Sequence, residues 1–329
     1  MQRTRESTRS PSAGAGRDNA GTVAAESAEA RLAINQPRKA VGIRILALAR
    51  TILNATGLKH VVRPLRQAWQ DRAWEPLLRT NKQLENLHAG QRIFILGSAP
   101  SLNHIDFSLL ADEYTFGCNF LYQHQKVASL RRMFYAEIEP LWSFPAIGLD
   151  AARYYSAIDG ACHDPCTVFF LRAGSKRFFE KRGIFAGRSI YYVASSQSMN
   201  EARVLCNDLS RRNTFMDGAL VFMIATAMYM GFKELYLCGC GFTYEPNQEG
   251  YFYDETVQPP TYKPVDPRHK RMLALAELNG VTIHNIVPPP FESPVYPATS
   301  WERVVEHVLR TAGGDRPPEC LARDGGREG

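Results

Sequence analysis

Ile93-Phe94-Ile95-Leu96-Gly97-Ser98-Ala99-Pro100-Ser101-Leu102 is an apolar run that stops at a glycine and turns through Ala-Pro-Ser. A continuous apolar run suits a strand buried on both faces, as in a parallel sheet, rather than one with a wet side. The turn after such a strand lies at the carboxyl edge of an open α/β sheet, where ligands of this architecture bind. A nucleotide-derived ligand is the first expectation.

The same alternation continues outward. Short apolar strands are predicted at residues 92–96, 114–118, 132–136, 167–171, 189–193, 234–238 and 281–286. Residues 217–230 read as a helix that is apolar nearly all round, hence buried, with Gly231 as its C-cap. Residues 268–278 read as an amphipathic helix opened by Asp266-Pro267 and ended by Asn279-Gly280. The fold class that follows is α/β, Rossmann-like: a mainly parallel sheet covered by helices on both faces, with a lid-like loop region at 245–266.

The 329 residues carry a net charge of +6, and the surplus sits at the front. Residues 1–66 hold twelve Lys and Arg against four Asp and Glu, so the rest is close to neutral or slightly acidic, and no nucleic-acid partner is expected. The chain divides into a disordered basic tail (1–40), an amphipathic helical segment (41–90), a catalytic domain (91–312) and a second tail (313–329). Within 41–66, Ile45, Leu48, Ala49, Ile52 and Leu53 share one side of a helical wheel, with Arg44 and Arg50 opposite. That pattern fits a peripheral contact with an anionic membrane, or a helix packed on the domain itself. No run of about eighteen uncharged apolar residues exists, and the N-terminus lacks the apolar core of a secretory signal.

The seven cysteines are scattered and mostly lie in apolar runs, which suits reduced thiols in a cytoplasmic protein. Cys162-His163-Asp164-Pro165-Cys166 lacks the second ligand pair of a structural zinc site, so a loop is expected there and no metal.

Four segments at strand ends carry candidate chemistry. Gly97, Ser98, Ala99, Pro100 and Ser101 offer backbone amides and hydroxyls to a phosphate at the start of a following helix, yet lack a Walker or dinucleotide fingerprint. Asn119 ends the second strand, where an amide reads a base or ribose or else bonds its own turn. Asp217-Gly218 opens the buried helix, where Asp217 is a ligand contact or a cap. Gly239 and Gly241 let a backbone approach a ligand closely, ahead of Tyr244 and the stretch Tyr251-Phe252-Tyr253-Asp254-Glu255.

Taken in order, Ile-Leu-Gly-Ser-Ala-Pro-Ser-Leu, Cys118-Asn119, Asp217-Gly218 and the run from Met230 to Gly239 resemble two related groups. One is the small bacterial CMP-sialic-acid-dependent sialyltransferases; the other is the 6-hydroxymethylpterin diphosphokinase MptE-like family. The likeness spans about residues 91–296. It implies a nucleotide pocket built from the Gly97 turn, Asn119, Asp217-Gly218 and the Gly239 loop. The chain departs from both groups at Ser98 and Ala99, and at Gly241, where an acid is usual.

The resemblance implies a glycosyltransferase that uses a nucleotide-activated sugar, a CMP-sugar, in surface glycan biosynthesis. Its acceptor is a glycan or glycolipid at the inner face of the cytoplasmic membrane. No histidine stands at the lid position where the sialyltransferases carry a base. His269, read as lying on a solvent-facing helix, and Asp254 and Asp266 are the rival bases. Tyr244, with Tyr251 or Tyr253, would stabilise the departing phosphate in place of a metal. The second group implies instead an ATP diphosphokinase whose magnesium would need Asp217, Glu137 and Glu139. A third reading is a non-catalytic carbohydrate-assembly factor of the same fold.

Overall fold

Eight parallel strands lie side by side in one open sheet in the computed structural model, which describes residues 70, 72–254, 256 and 258–306. They are β1 (Arg92–Leu96), β2 (Tyr114–Cys118), β3 (Arg132–Glu137), β4 (Val168–Arg172), β5 (Ser189–Val193), β6 (Glu234–Cys238), β7 (Thr282–Ile286) and β8 (Ala298–Thr299). Their order is β5-β4-β3-β2-β1-β6-β7-β8. The seven strands read from the sequence lie within one residue of their predicted ends; two-residue β8 was not read at all. The sheet is parallel throughout, where the sequence reading asked only for mainly parallel.

Alternate side chains along each strand point to opposite faces, and both faces are apolar. Ile93 and Ile95 join one buried cluster and Phe94 and Leu96 the other; Phe134 and Ala136 face Ile93's side, Met133 and Tyr135 the opposite one. This is why the strands read as unbroken apolar runs. The first cluster is closed by α3 (Ala219–Tyr229) and α4 (Pro267–Leu278), the second by α1 (Ala151–Ala161), α2 (Lys176–Glu180) and α5 (Trp301–Val304). Every residue of α3 after Ala219 is buried, as its all-round apolar sequence demands. Residues 80–90 are tied to the end of α3: the backbone N–H groups of Asn86 and His88 donate to Tyr229 and Met230 carbonyls at 3.0 and 2.7 Å.

Two helix starts differ in kind. Asp266 caps α4, its carboxylate accepting from the Arg268 N–H at 2.9 Å. Asp217 does not cap α3: Gly218 is the N-cap, and the Asp217 carboxylate accepts instead from the Met199 N–H at 2.6 Å, pinning the 195–217 loop. The chain after β1 also corrects an expectation. It forms two short 3₁₀ turns, Pro100–His104 and Phe107–Leu110, rather than an α-helix aimed at a phosphate.

From β1 the chain moves outward through β2 to β5, then crosses back through α3 to place β6 on the other side of β1. That reversal makes the β1/β6 boundary the topological switch point of the sheet. Among the described residues Cys118, Cys162, Cys206, Cys238 and Cys240 are free, whereas Cys166 is disulfide-bonded, against the expectation of reduced thiols. No described helix is long and apolar enough to cross a membrane. The amphipathic segment 41–66 and the tails 1–40 and 313–329 lie outside the described residues.

Candidate functional site

The loops leaving β1 and β6 are zipped to each other before any ligand is considered. Gly97 N–H donates to the Cys238 carbonyl at 2.8 Å and Ala99 N–H to the Gly239 carbonyl at 2.9 Å. A Cβ on Gly97 would stand 2.3 Å from the Gly239 oxygen, and one on Gly241 2.6 Å from the Gln248 oxygen. Gly239, at φ 66°, is crowded by Leu102 in the same way. These glycines are required by loop-on-loop packing, where the sequence reading assigned them to ligand approach.

Several groups of the expected phosphate cradle are engaged within the protein. Ser101, nearly fully buried, gives its N–H to the Gln248 Oε1 at 3.1 Å, and its hydroxyl lies 3.3 Å from the Tyr244 hydroxyl. Tyr244 is itself buried and donates to the Ile286 carbonyl at 2.8 Å, so it braces the loop and does not meet solvent. Pro100 has no N–H to give. Ser98 is what remains: half-buried, with neither its N–H nor its hydroxyl bonded within the described residues.

Ser98 is roofed by the lid. Its carbonyl accepts from the Phe252 N–H at 2.9 Å, and Asn103 Nδ2 donates to the Phe252 carbonyl at 2.9 Å. Tyr253 therefore hangs over the exit of β2, 5.9 Å from the Phe120 ring and stacked at 3° on Tyr251. Burial pushes the Tyr253 phenol up to about 12, so it stays a neutral donor. Asn119 is the first residue beyond β2, in the left-handed region at φ 52°, which asparagine tolerates better than most residues. Its carbonyl is clamped by the Tyr135 hydroxyl at 2.5 Å, while its exposed side chain bonds nothing within the described residues.

The exit of β3 holds a group the sequence reading weighed only as a magnesium ligand. Glu137 is buried to 2% exposure at the carboxyl edge, with no cation bonded to it among the described residues. The Tyr154 hydroxyl donates to one carboxylate oxygen at 2.6 Å and the Glu139 N–H to the other at 2.9 Å. Burial outweighs those two donors and pushes the carboxyl up to about 7. The Tyr154 ring in turn packs on Phe120 at 5.4 Å and Tyr122 at 5.7 Å, the residues of the Asn119 turn. At the exit of β4, Arg172 anchors its Nε to the Ile138 carbonyl at 2.6 Å, and its Nη groups bond nothing within the described residues.

The expected lid bases are placed otherwise. His269 is buried, not solvent-facing: its Nδ1 lies 2.9 Å from the Tyr296 hydroxyl, and burial holds the ring down at about 4, neutral at physiological pH. Asp266 is held below the ordinary carboxylate range by its hydrogen bonds with the Arg268 guanidinium. Arg268 also donates to the Asp217 carbonyl at 2.8 Å, so Asp266, Arg268 and Asp217 form one group at the starts of α3 and α4. Asp254 is exposed and accepts from the Tyr251 N–H within its own turn. No group of three or more His, Cys, Asp or Glu side chains among the described residues is placed to hold a metal ion, and the carboxylates of Glu137 and Asp217 accept hydrogen bonds within the protein.

Among the described residues, the groups with unbonded polar atoms run along one edge, Ser98 after β1, Asn119 after β2 and Arg172 after β4, with the buried Glu137–Tyr154 pair beneath them at the exit of β3. Strands about 4.8 Å apart put the ends of β1 and β4 roughly 14 Å from each other. Nothing in the local sequence marks Glu137 or Arg172, since their burial and partners come from residues 2 to 34 positions away.

No family model and no curated protein matches the chain. Among solved structures it is similar to a sialyltransferase, CstII, from Campylobacter jejuni, in complex with a substrate analogue, cytidine-5'-monophosphate. The identity is 19% and the TM-score 0.37, over 65% of this chain and 86% of that one.

Proposed function

We propose that the protein is a glycosyltransferase that binds a nucleotide-activated sugar, a CMP-sugar, along the carboxyl edge between β1 and β4. The observation that carries this reading is a lid pinned by Phe252 onto the one loop residue, Ser98, whose amide and hydroxyl are left for a ligand. The order of motifs from the Gly97 turn to the Gly239 loop points to the same chemistry.

Ser98 and Asn119 hold the phosphate and ribose, with Phe120 and Tyr253 as an apolar wall. Tyr253, neutral and with its hydroxyl unbonded within the described residues, donates to the departing phosphate; Tyr244 is too deeply engaged for that role. Glu137 is the best-poised base, because its carboxyl titrates near working pH while Asp266 and His269 do not. An acceptor hydroxyl oxygen bonds to the anomeric carbon as the bond from that carbon to the phosphate oxygen breaks. The electron pair leaves with the nucleotide, and the hydroxyl proton passes through the Tyr154 hydroxyl to Glu137.

Thermal-shift measurement with CMP, CDP, UDP, GDP and ATP tests the reading. A ligand at a hundred times its Kd stabilises by about 2.7 kcal/mol, an easily read shift. Stabilisation by cytidine nucleotides above the rest is expected; no shift with any nucleotide overturns the proposal.

A further inference from the structure

Between β3 and α1 the chain runs through ten uncharged residues, 140–149, and turns its large side chains outward. Trp142 is 81% exposed and Ile147 58%, with Pro145, Ala146 and Gly148 exposed around them. The tip is held rigidly from below. Phe144 is buried against Tyr154 and Tyr155 at 5.3 and 5.4 Å, and Ser143 bonds back to the Pro140 carbonyl at 2.7 Å. A folded loop anchored by one phenylalanine that presents a tryptophan and an isoleucine to water forms an apolar tip of the kind that marks interaction surfaces.

The charge beside the tip says which partner. Tyr155, which packs on Phe144 of the loop, also packs on Phe178 and Phe179 of α2 at 6.1 and 4.7 Å, so loop and helix are neighbours. Residues 176–182 carry Lys176, Arg177, Lys181 and Arg182 against the single acid Glu180. Lys176 is paired with Glu180, and Arg182 lies over the Phe178 ring at 4.1 Å. Arg177 and Lys181 are exposed and form no ion pair within the described residues. Of the acids flanking the loop, Asp150 is turned into the cap of α1, accepting from the Arg153 N–H at 2.7 Å, and Glu139 follows the β3 exit.

We propose that the 140–149 tip and α2 together dock the carboxyl edge of the sheet onto an anionic lipid surface. Trp142 and Ile147 enter the headgroup boundary, and Arg177 and Lys181 meet lipid phosphates, the arrangement of a monotopic contact. Both elements leave the sheet at its carboxyl edge, after β3 and β4, so docking brings the candidate site to the lipid. The inference stands without the glycosyltransferase reading, and an acceptor attached to lipid would join the two.

The test uses the full chain with vesicles of phosphatidylglycerol and phosphatidylcholine, and of phosphatidylcholine alone, followed by co-sedimentation. Binding is expected to the anionic vesicles and to fall with salt. Trp142→Ser with Ile147→Ser, at exposed positions, should lower it roughly tenfold or more while the melting temperature holds. Arg177→Glu with Lys181→Glu should lower it on anionic vesicles in particular. Quenching of tryptophan emission by brominated lipid should weaken in Trp142→Phe. The proposal is overturned if the wild-type chain ignores anionic vesicles, or if the double tip variant binds as the parent does, which would put the contact elsewhere, as in residues 41–66. A concentration-dependent dimer abolished by the tip variant would also overturn it, because a second copy would then be the partner.

Discussion

Replacing Glu137 by glutamine should make the protein more stable at alkaline pH while removing transfer activity. The carboxyl is nearly fully buried, with two hydrogen-bond donors and no bonded cation among the described residues, and burial pushes it up to about 7 from an ordinary 4.5. Below pH 4.5 it is protonated in both folded and unfolded chains and nothing is lost. As pH rises from 4.5 to 7 the unfolded chain ionises first, so stability falls, by about 3 kcal/mol once Glu137 is charged. A glutamine keeps the shape: its oxygen accepts from the Glu139 N–H, and its amide turns toward the Tyr154 hydroxyl. Losing the charge-assisted bond to Tyr154 gives back about 1 kcal/mol. The net gain at pH 8 is then about 2 kcal/mol, a rise of roughly 4–8 °C in melting temperature. His269 acts in the opposite sense over part of the window. Its ring titrates at about 4 when folded and 6.5 when not, so its contribution is complete above pH 6.5 and is lost as pH falls toward 4. The wild-type profile hides both, and the informative quantity is variant minus parent, by differential scanning calorimetry from pH 4 to 8.5. That difference should be near zero or slightly negative at pH 4 and grow through neutrality. A difference independent of pH, or a variant less stable than the parent at pH 8, refutes the argument that burial dominates at Glu137.

Gly97→Ala should lower stability by roughly 2 kcal/mol or more, since its Cβ would meet the Gly239 oxygen at 2.3 Å; chemical denaturation reads this out. Gly160→Ala, in α1 with nothing within 4 Å of the new Cβ, should instead add about 0.5–1 kcal/mol in the same assay. Asn119→Ala should weaken nucleotide binding roughly tenfold by calorimetric titration, while Asn119→Gly, which keeps the left-handed turn, should lose binding with less loss of stability. His269→Gln should flatten the acid limb of stability between pH 6.5 and 4, measured by acid titration of the tryptophan signal.

Strand positions were legible in the sequence because a strand buried on both faces has to be apolar at every position, and the chain punctuates each with a polar turn. β8 was illegible, since Ala298–Thr299 is too short for any period to show. α1 was missed because its large apolar residues are only Tyr154, Tyr155 and Ile158, set among Ala, Ser and Gly, and its cap is a lone aspartate. The Gly97 turn was legible as a tight turn at the end of β1, but what fills the space around its glycines was not. A glycine in a turn says that a side chain does not fit, and only the fold tells whether a ligand or another loop fills the space.

The sequence by itself determined a mainly parallel α/β sheet, the ends of seven of its strands, and which turns would meet at its carboxyl edge, because these follow from local periodicity and chain connectivity. Tertiary structure alone decided which polar groups on that edge are free to act. Ser101 and Tyr244 are consumed by Gln248 and the Ile286 carbonyl and His269 is sealed against Tyr296, while the Ser98 and Asn119 side chains and the Arg172 Nη groups bond nothing within the described residues. Whether a carboxylate is a reagent depends on how much water surrounds it and which donors face it. For Glu137 that is decided by Tyr154, seventeen residues away on α1, and by the packing of β2, β4 and α1 around the end of β3.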